Sequence, residues 1–162
     1  MSYSTLYLVF KTRTKIINEY RNGHGTAPPL WDLLCEKHLH KEPHYWLVNE
    51  DPKELWALYE NSSVPLYRRF TLFMTFDRAV VDRPDFQRAV ECCQKLYQEI
   101  KNTKPNMVNH WQSIADDIKN IGKIDHRALG IGLGCTSVCD PWEEWEPKKD
   151  RTIWKSSKYL HN

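Results

Sequence analysis

Residues 69–100 read RFTLFMTFDRAVVDRPDFQRAVECCQKLYQEI, and the two parts of this stretch set the fold class. In the first, Phe70, Leu72, Met74 and Phe76 alternate with Thr71, Phe73, Thr75 and Asp77. A two-residue period predicts a strand, here over 69–81. In the second, Phe86, Ala89, Val90, Cys93, Leu96, Tyr97 and Ile100 recur at three- and four-residue spacing, which predicts a helix. Asp82-Arg83-Pro84-Asp85 stands between them as the helix start. A strand that feeds a helix points to a mixed α/β or α+β fold.

Toward the N-terminus, Tyr3, Thr5, Tyr7 and Val9 alternate with Ser4, Leu6, Leu8 and Phe10. This predicts a strand over 3–12, apolar enough on both sides to be covered on both. A polar stretch then ends in Asn22-Gly23-His24-Gly25, where glycines predict a turn with unusual backbone angles. Pro28 and Pro29 open a helix whose apolar stripe is Leu30, Leu33 and Leu34, with Trp31 beside it. Residues 38–50 read as a loop rich in histidine and aromatics. Asp51-Pro52-Lys53-Glu54 then starts a short helix carrying Leu55, Trp56, Leu58 and Tyr59.

Toward the C-terminus, Pro105 breaks the long helix, and a further helix carries Met107, Trp111, Ile114, Ile118 and Ile121. Residues 128–138 form a last strand, with Leu129, Ile131, Leu133 and Cys135 on one face. The expected order is β-α-α-β-α-α-β: a single compact domain over 1–162, a small three- to four-stranded sheet with about four helices packed on it, and an aromatic, charged tail over 141–162. The 162 residues are enough to bury a core without a disulfide or metal staple.

Composition narrows the function. Net charge is +2, and the basic residues are scattered, with Glu143, Glu144 and Glu146 set against Lys148, Lys149 and Arg151. That balance gives a nucleic-acid partner little to hold. No run approaches the ~20 apolar residues of a membrane span, and no secretion signal is visible. Five cysteines without such a signal predict reduced thiols and a cytoplasmic protein. Seven Trp, eight Tyr and five Phe exceed what an ordinary core uses, so some are expected at a binding surface.

Three segments stand out. Gly130, Gly132 and Gly134 share one face of the last strand, a flat strip that a side chain, a ligand or a partner can approach closely. Thr136, Ser137, Cys139 and Asp140 follow at the strand end, where α/β sheets carry sites, and lead to Trp142 and Trp145. Arg21, Asn22 and His24 lie on the glycine-framed loop, able to meet an anion or exchange a proton. His24, Asp77 and Cys139 are the catalytic candidates, although no nucleophile–base motif joins them. His38, His40 and His44 lack a metal-binding pattern, and no metal or cofactor is expected. The reading that follows is a small macromolecule-binding protein of inhibitor, immunity or adaptor type, such as an accessory protein of a phage or mobile element. Its expected partner is another protein, or a second copy in a homo-oligomer. The alternatives are a small enzyme or nucleotide or small-molecule binder built on Gly23-His24-Gly25 and Cys135–Asp140, and then a nucleic-acid binder.

Overall fold

A computed structural model describes residues 3–48, 52–76, 78–121, 125–135 and 155–160. It is a mixed α/β structure with, among these residues, a five-stranded sheet and six α-helices. The strands are β1 (Tyr3–Val9), β2 (Thr14–Arg21), β3 (Ala79–Asp82), β4 (Gly130–Cys135) and β5 (Lys155–Ser156). The helices are α1 (Ala27–Leu34), α2 (Tyr45–Val48), α3 (Lys53–Ala57), α4 (Leu66–Met74), α5 (Phe86–Thr103) and α6 (Trp111–Ile121). The sheet runs β2-β1-β4-β3-β5, antiparallel except where β3 pairs β5.

The long helix forms as its periodicity demands: the buried residues of α5 are Phe86, Ala89, Val90, Cys92, Cys93, Leu96 and Ile100. The segment before it does not. Residues 66–74 are helical, and among the described residues of the expected strand over 69–81 only 79–81 are extended, as part of Ala79–Asp82. The reason is burial. Every residue from Arg69 to Phe76 is buried, so the alternation of apolar residues with threonine reflects no exposed face. The threonines spend their hydroxyls inside the helix, Thr71 Oγ1 donating to the Tyr67 carbonyl at 2.7 Å and Thr75 Oγ1 to that of Leu72 at 2.7 Å. Pro65, just before Leu66, marks the start.

Strand β2 reverses that case. Thr14–Arg21 is an edge strand with only Tyr20 buried, so it carries no hydrophobic alternation. Its register with β1 shifts between Leu6 and Tyr7, which oppose Asn18 and Ile16, leaving Ile17 as the extra residue of a bulge. The sheet is therefore larger than the three or four strands expected. Leu6, Leu8, Val81, Ile131 and Leu133 join the buried faces of α1, α4, α5 and α6 in one core. The opposite face of β1, with Tyr3, Thr5 and Tyr7, is only half-buried, not fully covered. Leu129, expected within the last strand on the same face as Ile131 and Leu133, precedes β4 and is exposed, and Met107 lies outside α6 and is exposed as well. Residues 38–50 are not a plain loop: a π-helical turn covers Cys35–Leu39, and α2 follows. No helix among the described residues is long and apolar enough to cross a membrane.

Much of the aromatic load is core. Trp31 packs edge-on against Trp46 and Trp56 at 5.1 Å between centroids in each case, and Trp56 meets Phe76 at 5.8 Å. Trp31 Nε1 donates to Thr75 Oγ1 at 3.2 Å, whereas Trp56 Nε1 is buried with no partner among the described residues. Removing an unpaired donor relieves a desolvation penalty; removing a paired one does not. Trp31→Phe should therefore cost about 1–2 kcal/mol more than Trp56→Phe, measured as a difference in urea midpoint at equal slope.

Candidate functional site

The loop expected to carry Arg21, Asn22 and His24 turns out to be a seam. Asn22, not a glycine, takes the left-handed conformation, at φ 57°. Gly23–Gly25 forms a 3-10 turn, and a Cβ on Gly25 would lie 2.6 Å from Val108 Cγ1 and 2.7 Å from His110 Cδ2. Glycine is needed there for close approach. His110 Nε2 is 2.7 Å from the Arg21 carbonyl, so it carries the proton and donates. The His110 backbone N–H donates to Gly25 O at 2.9 Å, and Trp111 Nε1 to Thr26 O at 2.8 Å. Nearby, Tyr20 Oη donates to Asp117 Oδ2 at 2.6 Å, and Asn18 Nδ2 to the same oxygen at 2.8 Å. Burial, then the Asp117 carboxylate, pushes the Tyr20 phenol far up, so it remains a donor. These bonds fasten β2 and its loop to α6. Arg21 and His24 are left exposed at the rim.

On β4 the three glycines do face together. Tyr7 lies opposite Gly132, and a Cβ there would be 2.5 Å from Tyr7 Cζ. The same ring reaches Gly134, where a Cβ would be 3.5 Å from Cε1. Gly130 instead meets backbone, with Val81 O only 2.2 Å from where its Cβ would stand. Asp77, Thr136, Ser137, Cys139, Asp140, Trp142 and Trp145 lie outside the described residues. The described cysteines are buried and form no disulfide with one another. Burial pushes Cys35 up to about 11 and Cys92 up to about 12, and Cys93 well up too, so none is set up as a thiolate nucleophile. Among the described residues no group of three or more His, Cys, Asp or Glu is arranged to hold a metal. His38 and His44 go separate ways.

Their two destinations define the most organised polar feature outside the seam, which sequence spacing did not reveal. Asp32 stands in the middle of α1, yet its side chain is 2% exposed. Its Oδ1 accepts the His44 backbone N–H at 2.8 Å and Trp46 Nε1 at 2.7 Å, and its Oδ2 lies 3.5 Å from His44 Nδ1. His44 itself is held at φ 66°. Thus a buried carboxylate fixes the entry of α2 and the ring of Trp46. The outward side of that short helix is apolar: Leu47 is 68% exposed and Val48 79%, beside half-buried Tyr45 and Trp46.

The turn before it is anchored elsewhere. His38, within the π-helical turn, accepts at Nε2 from Arg68 Nη1 at 3.1 Å. An arginine can only donate, so His38 is neutral there, with its proton on Nδ1. Arg68 Nε and Nη2 both donate to Glu99, which also accepts Tyr67 Oη at 2.7 Å. The group ties the turn to α4 and α5. A shallow cleft of about 460 Å³ opens beside it, lined by Tyr67, Glu91, Gln94, Lys95 and Gln98. The one signal in the sequence for this region was Asp32 itself, a carboxylate between Trp31 and Leu33 in an otherwise apolar run. Comparison of the chain with protein-family models, curated proteins and solved structures finds no match.

Proposed function

We propose that this chain acts by binding another protein, as an inhibitor, immunity or adaptor protein does, and that Tyr45–Val48 is the contact. The observation that carries this reading is the exposure of Leu47 and Val48 on a helix that a buried carboxylate holds in place. Adjacent exposed aliphatics beside a half-buried tryptophan and tyrosine have the composition of an interface centre. Fixing the helix beforehand lowers the entropy lost on binding. The partner that fits is a protein with an apolar cleft wide enough for one helical turn.

The test is affinity capture from an extract of the source organism, using the wild-type chain and the double variant Leu47→Asp, Val48→Asp. Both residues are exposed, so the variant should unfold at the wild-type midpoint. A partner held by the wild type and lost at least tenfold by the variant is the expected result. Capture that is identical with the two chains, or a wild type that retains no protein, overturns the proposal.

A further inference from the structure

We infer that His38 makes the presentation of Tyr45–Val48 dependent on pH: the segment from the π-helical turn to α2 is clamped at neutral pH and released on acidification. Where this concerns partner binding it rests on the function proposed above; where it concerns the chain's own conformation it does not.

The clamp has two ends. His44 N–H and Trp46 Nε1 are held by Asp32, and His38 Nε2 is held by Arg68. Only residues 39–43 lie between. Within that span His40 is in the left-handed region at φ 53°, and Lys41 N–H donates to Cys35 O at 3.0 Å. The turn at 35–39 has π geometry, a rare arrangement that concentrates where a chain must adjust. The segment's position therefore leans on its side-chain anchors.

The His38 anchor works only while the ring is neutral. Protonation puts an N–H where Arg68 needs an acceptor and sets two cations against each other at 3.1 Å. The charged and titratable groups around the ring offer little compensation. On α4, Tyr67 gives its hydroxyl to Glu99, and Arg68 is the opposing cation. On α5, Glu99 favours the protonated ring, but its oxygens already accept from Tyr67 Oη and from Nε and Nη2 of Arg68. On the segment itself, His40 adds repulsion, while Glu36 is paired with Lys104 at 3.0 Å. Burial, and then Arg68, hold His38 below the ordinary histidine range. The sign follows. The unfolded chain takes up a proton first as pH falls through about 6.5, so the anchor's stabilisation is complete above that value and is lost as pH drops toward the lower folded value.

Hydrogen exchange of the full chain, corrected for the intrinsic pH dependence of exchange, reads the clamp without any partner. Protection over residues 37–48 should fall at least tenfold from pH 7 to pH 5, beginning at about pH 6.5 and levelling off at the midpoint of the His38 ring resonances followed by NMR. His38→Gln keeps an acceptor for Arg68 but gains no proton, and should flatten the profile. His40→Gln and His44→Gln should leave the fall in place. A flat wild-type profile overturns the inference, as does a fall that continues well below the midpoint of the His38 resonances, or one that survives in His38→Gln. The capture experiment repeated at both pH values separates the two readings. Loss of protection without loss of partner leaves the switch standing and removes Tyr45–Val48 as the contact.

Discussion

Replacing Asp32 with alanine should lower stability by about 3 kcal/mol, and the loss should concentrate on one segment. Two donors converge on this carboxylate, the backbone N–H of His44 and the indole of Trp46. A hydrogen bond to a charged acceptor contributes about 1.5–3 kcal/mol, and a donor left buried without one costs about 1–3 kcal/mol. The upper limits do not apply in full, because the His44 side chain is exposed and Trp46 is half-buried, so water can reach part of the vacated space. Asp32→Asn makes the useful contrast. Both donors meet the same oxygen, Oδ1, which an amide can present unchanged, so the cost should be nearer about 1 kcal/mol. Urea unfolding at constant slope measures both. The alanine variant should also shift Trp46 emission toward that of a solvated indole under native conditions. An alanine variant within about 1 kcal/mol of wild type would mean that the carboxylate holds nothing.

The second large effect is expected at Gly130, and it should grade along the strand. None of the described glycines has a positive φ, so alanine is conformationally permitted at each site on the strand and only the available space decides. At Gly130 the added methyl would meet the Val81 carbonyl at 2.2 Å. Backbone cannot swing aside there without breaking the pairing of Val81 with Ile131 and of Asp82 with Gly130, the register that joins β3 to β4. Gly130→Ala should therefore cost about 3 kcal/mol or more, the upper part of the range for overpacking. At Gly132 the obstacle is the tip of the Tyr7 ring, which can tilt, and the cost should be about 1–2 kcal/mol. At Gly134 the contact is an ordinary 3.5 Å, so alanine should be neutral or stabilise by a few tenths of a kcal/mol through the unfolded chain. Thermal midpoints of the three single variants test the order. If Gly134→Ala proves the worst of the series, close approach is not why these glycines are there.

How much of this was legible depends on contrast. Helix α5 is readable because its faces differ: Ala89, Cys93 and Leu96 are buried, while Gln87, Glu91 and Lys95 are exposed. Helix α4 has no such contrast between Arg69 and Phe76, and an all-buried helix spaced by threonines imitates a strand. Strand β2 fails from the opposite side, with only Tyr20 buried. The glycine strip could be read, since its period is local; its occupant Tyr7 could not, because a cross-strand neighbour leaves no trace in spacing. The same holds for His38, Arg68 and Glu99, which come from three elements and meet only in the folded chain. Of the expected site residues that are described, Arg21, Asn22 and His24 share one loop by sequence alone, and the residue that organises that loop is His110.

The pairing of β1 with β4 also bears on how the chain comes to fold. Residues 3–9 form an interior strand of the sheet, but the strand that flanks them on one side is residues 130–135. Until that strand exists, Leu6 and Leu8 have only the β1–β2 hairpin to belong to, and an isolated hairpin is marginal in water. Synthesis proceeds at roughly 5–20 residues per second, so on the order of ten seconds separates the two halves of this pair on the ribosome. Closing such a distant contact is slow, which favours millisecond-to-second folding. During that wait the apolar side of β1 is a hazard for aggregation, and helices α4 and α5, complete before β4 is made, are a surface available to shelter it.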